Sequence, residues 1–388
     1  MNRTEPLVDP NRRAELFPVT RQWIYLNHAA VGPLPAYVLD AARHYLEAIS
    51  RDGDHHWQET LQVVEAARAL LAELVGARPA EIAFTRNASE GISVLANGLD
   101  WRPGDNVVLP AIEFPANVFP WQNLARRGVE VRYVSLRDGR CEAADIIPRV
   151  DGRTRVISVS SVQFFNGFRL DLAPLGAFCR ERGVIFCVDA IQQLGVLPLD
   201  VGSGGVDFLA CGGHKWLMAG EGIGFLYCRA ELLDRLQPAA VGWMGVRDWE
   251  HMLNYRLEFP PEARRFETGN LSAFGVHNLK ASVDRYLRLG PAAVAARVLE
   301  LAEAVAAATG RRGWTVLSPD GPARSGIVSF RVPGRDAADL AARLLAVGVQ
   351  VAVRNGAIRV SPHYYNTAAE VAEAFDRLDR IVKQTDGR

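Results

Sequence analysis

Residues 184–229 read VIFCVDAIQQLGVLPLDVGSGGVDFLACGGHKWLMAGEGIGFLYCR. Three apolar runs stand out, at 184–190, 207–212 and 224–229. Each is short and nearly unbroken in apolar or β-branched residues, the pattern of a strand covered on both faces. A Gly-rich connection joins the second run to the third, which predicts a hairpin and one antiparallel member in the sheet. The same rhythm extends upstream through runs at 81–86, 106–110, 129–134 and 155–163. Helical patterns fall between most of them, at 89–99, 120–127 and 172–182, the last stopped by Gly183. Alternation of this kind predicts an α/β fold with a mostly parallel, seven-stranded, doubly wound sheet.

The rhythm changes after residue 230. Residues 237–268 are irregular and rich in Pro, Trp and Arg. Helices are expected at 272–289 and 292–309, a strand at 326–332, a helix at 337–347, strands at 349–353 and 357–361, and a final helix at 368–383. The expected division is a large α/β domain over 20–260 and a small α+β domain from 1–19 and 261–388, the first segment forming an N-terminal arm. A helix near 35–50 could pack on either.

The 388 residues are 49% hydrophobic and 23% charged, ordinary for a globular chain and unlike a disordered one. Forty-four basic and 44 acidic side chains cancel, so charge gives no reason to expect nucleic acid or an anionic membrane as partner. No run approaches the roughly 20 apolar residues of a membrane span, and MNRTEPLVDPNRR at the start lacks a signal peptide's apolar segment. The five cysteines are widely spaced without a CxxC, which suits free thiols in a reducing, cytoplasmic setting. No His/Cys grouping predicts a metal site. There is no GxxxxGK[ST], and Gly220, Gly222 and Gly224 lack the strand-to-helix context of a dinucleotide loop.

Three features carry chemistry. Only three lysines exist, Lys215, Lys280 and Lys383, and the latter two fall on expected exposed helix faces. Lys215 follows an apolar strand between His214 and Trp216. A desolvated lysine there has a lowered pKa and can form a Schiff base; the alternative is a structural ion pair. Asp189 ends a buried strand, where open α/β sheets place functional groups, with Gln192 three residues on. It could pair with a protonated heterocyclic nitrogen or cap the following turn. In FTRNASEGISVLANGL, residues 84–99, a strand enters a polar turn and a helix begins near Ser89, which suits phosphate or simple capping. Together the three supply what pyridoxal 5′-phosphate requires.

Their order and context resemble the fold-type I pyridoxal-phosphate enzymes of aminotransferase class V, in the branch of cysteine desulfurases, isopenicillin N epimerase and kynureninase-like enzymes. The resemblance runs from YLNHAAVG at 25–32 to RVSPHYYNTAAEV at 359–371. It implies that Lys215 bonds the cofactor, Asp189 holds the ring nitrogen protonated, and Gln192 contacts the phenolic oxygen, with Ser161 nearby. Phe114, in IEFPAN, matches the residue stacked on the ring, and Ala88, Ser89 and His214 would hold the phosphate. Gly269 and Asn270, in FETGN, match a segment reaching the partner subunit's phosphate, which implies a homodimer with shared active sites. Arg359 matches the clamp on the substrate α-carboxylate. Arg354, Asn27, His28 and Ala29 would also line the substrate site.

Several residues depart from the desulfurase pattern. There a mobile loop with a nucleophilic cysteine separates the two arginines; here only NGAI does, with no cysteine near. Gly212 stands in place of a phosphate-binding serine, Ser161 in place of an asparagine, and Phe114 in place of a proton-donating histidine. The reading is therefore an enzyme acting on an amino acid, foremost by β-elimination or C–S cleavage without a protein persulfide. Transamination and epimerising or decarboxylative chemistry follow as alternatives. A nucleotide-dependent enzyme lacks its phosphate loop, and Lys215, Asp189 and Arg359 argue against a bare binding module.

Overall fold

The computed structural model describes residues 7–386. All seven expected core runs are strands: β2 (Ile82–Thr85), β3 (Asn106–Pro110), β4 (Glu130–Val134), β5 (Thr154–Ser160), β6 (Ile185–Asp189), β7 (Phe208–Gly212) and β8 (Gly224–Cys228). They form one sheet in the order β2-β8-β7-β6-β5-β3-β4. Every pairing is parallel except those of β8, which runs antiparallel to both β7 and β2. The expected hairpin is therefore present, and it inserts β8 between β7 and β2. Strands β2, β3, β6, β7 and β8 are buried along their whole length, as their unbroken apolar runs require.

The longer helices are α1 (Ala36–Asp52), α2 (Trp57–Val75), α3 (Ala88–Gly98), α4 (Ala173–Arg182), α5 (Ala273–Leu289), α6 (Pro291–Arg311), α7 (Ala337–Ala346) and α8 (Ala368–Asp386). The expected 120–127 helix is one α-turn, Phe119–Gln122, running into a 3₁₀ turn that Gly128 ends at φ 75°. Helices α1 and α2 both pack on α5. Helix α5 and the first part of α6, through Val276, Leu279, Val283, Leu289 and Val298, share a hydrophobic core with the large sheet. A separate core begins at Leu301 and unites the end of α6 with α7, α8 and the C-terminal strands.

Those strands are β9 (Thr315–Val316), β10 (Val328–Arg331), β11 (Val349–Gln350), β12 (Ala352–Arg354) and β13 (Ala357–Val360); an antiparallel sheet runs β12-β13-β10-β9. The single strand expected at 349–353 is split. Its first half pairs parallel with β1 (Ile24–Tyr25), and its second half turns to pair with β13. Asn27 bridges Ser361 in the same direction. The N-terminal segment thus stitches the large sheet's active face to the C-terminal unit.

Candidate active site

The carboxyl ends of β2, β3, β6 and β7 converge on a cavity of about 310 Å³. It is lined by Lys215, Asp189, Gln192, His214, Phe114 and Arg359, with Ala88 and Ser89 at one end. Lys215 leaves the sheet three residues beyond β7 and is only 7% exposed. Gly32 fits against it: a Cβ there would lie 2.1 Å from the Lys215 carbonyl oxygen, and its N–H donates to the His214 carbonyl at 2.7 Å. Only glycine permits this crossing. The Lys215 Nζ stands 5.1 Å from the centre of the Phe114 ring. Burial lowers the amine to about 8, with Asp189 opposing and Arg359 and Arg354 assisting. Burial also raises the Asp189 carboxyl, while the Ile191 N–H, which donates to it at 3.0 Å, and Lys215 pull it back.

This lowered amine has a direct consequence. In cofactor-free protein, covalent attachment of pyridoxal phosphate needs the neutral amine. The rate, followed by absorbance after stopped-flow mixing, should rise about tenfold per pH unit up to about pH 8 and then level off. A rise continuing to pH 10 would show an unperturbed lysine.

Helix α3 presents its N-terminus to the cavity. The cap is Asn87, not Ser89: Asn87 Oδ1 accepts the Glu90 N–H at 2.9 Å, and the helix starts at Ala88. That leaves the Ala88 and Ser89 N–H groups and the exposed Ser89 hydroxyl for an anion. His214 lines the same cavity, its imidazole held below its ordinary pKa by burial and by Lys215.

Opposite stands Arg359 on β13, 1% exposed. One terminal nitrogen donates to the Phe164 carbonyl at 2.6 Å, while Nε and the other terminal nitrogen are buried without partners. Burial, and then Arg354, lower its pKa to about 9. Two orphaned donors on one guanidinium edge suit a planar carboxylate. Arg354 also lines the cavity. The turn between these arginines is the two residues Asn355 and Gly356, at φ 50° and 67°. Gln192 uses Nε2 to hold the Ala29 carbonyl at 3.0 Å and Oε1 to accept the Trp216 indole N–H at 2.9 Å, which leaves one amide hydrogen free.

Five expected site residues lie outside the cavity lining. His28 is fully buried and turned away from the cavity: Nδ1 meets the Ser361 carbonyl at 2.9 Å and Nε2 the Tyr365 hydroxyl at 2.8 Å. Asn27 also lies outside the lining, on its bridge to Ser361; Ala29 does line the cavity. Ser161 sits behind Asp189, its backbone N–H donating to the Asp189 carbonyl at 3.0 Å. Gly269 and Asn270 lie outside this chain's cavity, Gly269 beside Trp243 and Asn270 exposed.

Other lining residues carried no signal in the sequence, among them Phe164, Ile191, Ala30 and Ala116. Glu113, in the quoted IEFPAN, has no sequence signal of its own either. Its carboxylate accepts the Ser160 N–H and the Gln163 amide, each at 2.8 Å, and burial raises it to about 7. It ties the end of β5, next to Asp189, to the loop that carries Phe114.

A buried amine beside a buried acid, a helix N-terminus and an orphaned guanidinium edge fit pyridoxal phosphate and an amino acid. The aminotransferase class V family model matches residues 24–374. The chain belongs to that family. This class V enzyme uses pyridoxal phosphate and has the fold-type I architecture. It is 30% identical to a probable cysteine desulfurase of Methanothermobacter thermautotrophicus, over 94% of this chain and 96% of that one. Among solved structures, a cysteine desulfurase of Thermococcus onnurineus superposes with a TM-score of 0.88 at 26% identity, covering 97% and 98% of the two chains. A cystine C–S lyase in complex with cysteine persulfide gives 0.87 at 25% identity, covering 93% and 98%.

Proposed function

We propose that this class V enzyme cleaves the Cβ–S bond of a sulfur-containing amino acid by β-elimination, without loading sulfur onto a cysteine of its own. The carrying observation is the Asn355–Gly356 turn, which leaves no loop between Arg354 and Arg359. All five cysteines are free and buried, and none lines the cavity. The likeness to a cystine C–S lyase supports the same reading.

Pyridoxal phosphate, when bound, supplies an electron sink for the substrate. Lys215 would bond it covalently, Asp189 would hold the proton of its ring nitrogen, and Ala88, Ser89 and His214 would hold its phosphate. Phe114 gives the ring an apolar wall and Gln192 its spare amide hydrogen. Arg359 grips the α-carboxylate through its two unpaired nitrogens. Once the substrate amine has displaced it, Lys215 Nζ would take the Cα proton, since Phe114 offers no basic atom. The Cβ–S bond then breaks and sulfur leaves with the bonding electrons. The released enamine hydrolyses to a 2-oxo acid and ammonia.

Gly269 and Asn270 are read as serving the partner's phosphate in a homodimer. The exposed side chains of Met252, Leu253, Tyr255 and Leu257 support an interface nearby. No helix among the described residues is long and apolar enough to cross a membrane, and free thiols suit a cytoplasmic enzyme.

The test is a titration of the cofactor-loaded enzyme with cysteine and cystine, followed by visible absorbance, product assay and intact mass. Expected are a band that recovers unaided, a 2-oxo acid, ammonia and released sulfur, and an unchanged protein mass. Bleaching reversed only by an added 2-oxo acid would mean transamination, and a protein-bound persulfide would mean desulfurase chemistry; either overturns the proposal.

A further inference from the structure

Strand β13 carries Arg359 and Ala357 on the same face, because side chains alternate. Ser329 pairs with Arg359 and Arg354 with Ala357, so Ser329 and Arg354 share that face, as does Arg331 two residues beyond Ser329. Three arginines therefore stand on one face of the small sheet, Arg359 inside and Arg354 and Arg331 one row further out. Among the described residues no carboxylate is ion-paired with any of them.

The outer row opens into a second cavity of about 340 Å³, lined by Arg331, Arg354, Phe165 and Asn166 among others. Arg354 lines both cavities, and the adjacent Phe164 and Phe165 wall the inner and outer one respectively. Arg331 is anchored by donating to the Asn355 carbonyl at 3.2 Å, which leaves the rest of its guanidinium for a ligand. Among the described residues the only acid lining the outer cavity is Asp138, held at φ 51° on a turn.

We propose that this outer cavity is a distal subsite for a second carboxylate of the substrate, bound by Arg331 together with Arg354. The inference rests on the reading above, in which Arg359 holds the α-carboxylate, and narrows its substrate class. Two residues of strand rise by about 7 Å, roughly the span of five or six bonds of an extended chain. The substrate class is then a long amino acid with an acidic far end, its apolar or sulfur-containing middle lying along Phe164 and Phe165. A planar carboxylate is favoured over a bare point charge because guanidinium forks pair with it through two bonds.

The experiment compares 2-aminopimelate, which carries the distal carboxylate, with norleucine, which lacks it, and lysine, which carries a cation. Each is titrated into the cofactor-loaded enzyme and affinity is read from the visible absorbance change. The wild-type enzyme should bind 2-aminopimelate at least tenfold more tightly than norleucine. Arg331→Met should shrink that ratio severalfold, and Arg331→Glu should turn the preference towards lysine. Equal affinities in the wild-type enzyme, or a ratio untouched by either variant, would overturn the subsite. A failure of the underlying reading looks different: no amino acid, norleucine included, would perturb the absorbance. Arg331 is exposed, so neither variant disturbs a packed core.

Discussion

Lys215→Ala enzyme should purify without covalently attached cofactor and turn over more than about a thousandfold more slowly than the parent. The size follows from two roles on one nitrogen. The amine is proposed both to bond the cofactor and to move the Cα proton. Phe114 cannot take over, since its ring has no basic atom, and His214 is proposed to hold the phosphate with Ala88 and Ser89. No other lysine can substitute, because Lys280 lies on α5 and Lys383 on α8. Folding should survive: the side chain lost is a buried amine already held well below its ordinary basicity by desolvation. Two measurements separate the roles. Mass spectrometry after borohydride reduction should find the cofactor on Lys215 of the parent and on no residue of the variant. Added methylamine should restore part of the turnover by replacing the proton carrier without the tether. Wild-type colour and rate in the variant would sink the assignment.

The sheet and its acid were legible in the sequence for a local reason. Buried parallel strands need unbroken apolar runs, and VIFCVD ends its run on a carboxylate that only a functional or capping role explains. Lys215 was legible because lysine is rare in this chain and seldom follows a buried strand. The helix at 57–75 ends on Gly76 at φ 70°, a stop signal that is local. The remaining differences are tertiary. The run at 349–353 splits because its halves pair with segments more than 300 residues apart in one case and fewer than ten in the other, which no local pattern encodes. His28 follows a motif shared with substrate-lining segments, yet its two nitrogens are claimed by Ser361 and Tyr365. The third arginine was invisible because Arg331 joins Arg354 and Arg359 only through the register of β10, β12 and β13.

Arg359→Met should lower kcat/KM for amino acids by roughly a hundredfold, while making the cofactor-free protein more stable. The first effect follows from losing two charge-assisted hydrogen bonds to the α-carboxylate, together about 3 kcal/mol. The second follows from the same atoms without substrate. Nε and one terminal nitrogen are buried with no acceptor, and the pKa drops to about 9 because burial and Arg354 both oppose the charge. Methionine fills much of the volume without a charge, so the variant should gain about 1–3 kcal/mol, seen as a raised denaturation midpoint. The pH dependence has a definite sign. A cation whose folded pKa lies below its unfolded value destabilises the fold while it is protonated, so the parent's deficit against the variant should be full and constant below about pH 9 and shrink as pH rises above that value. A control substrate lacking the α-carboxylate, a simple thioether amine, should be processed at nearly equal rates by both proteins. Equal losses on amine and amino acid would place Arg359 in the scaffold. A lowered midpoint would mean that its orphaned edge is satisfied before substrate arrives, and the site would then not be poised for a carboxylate at all.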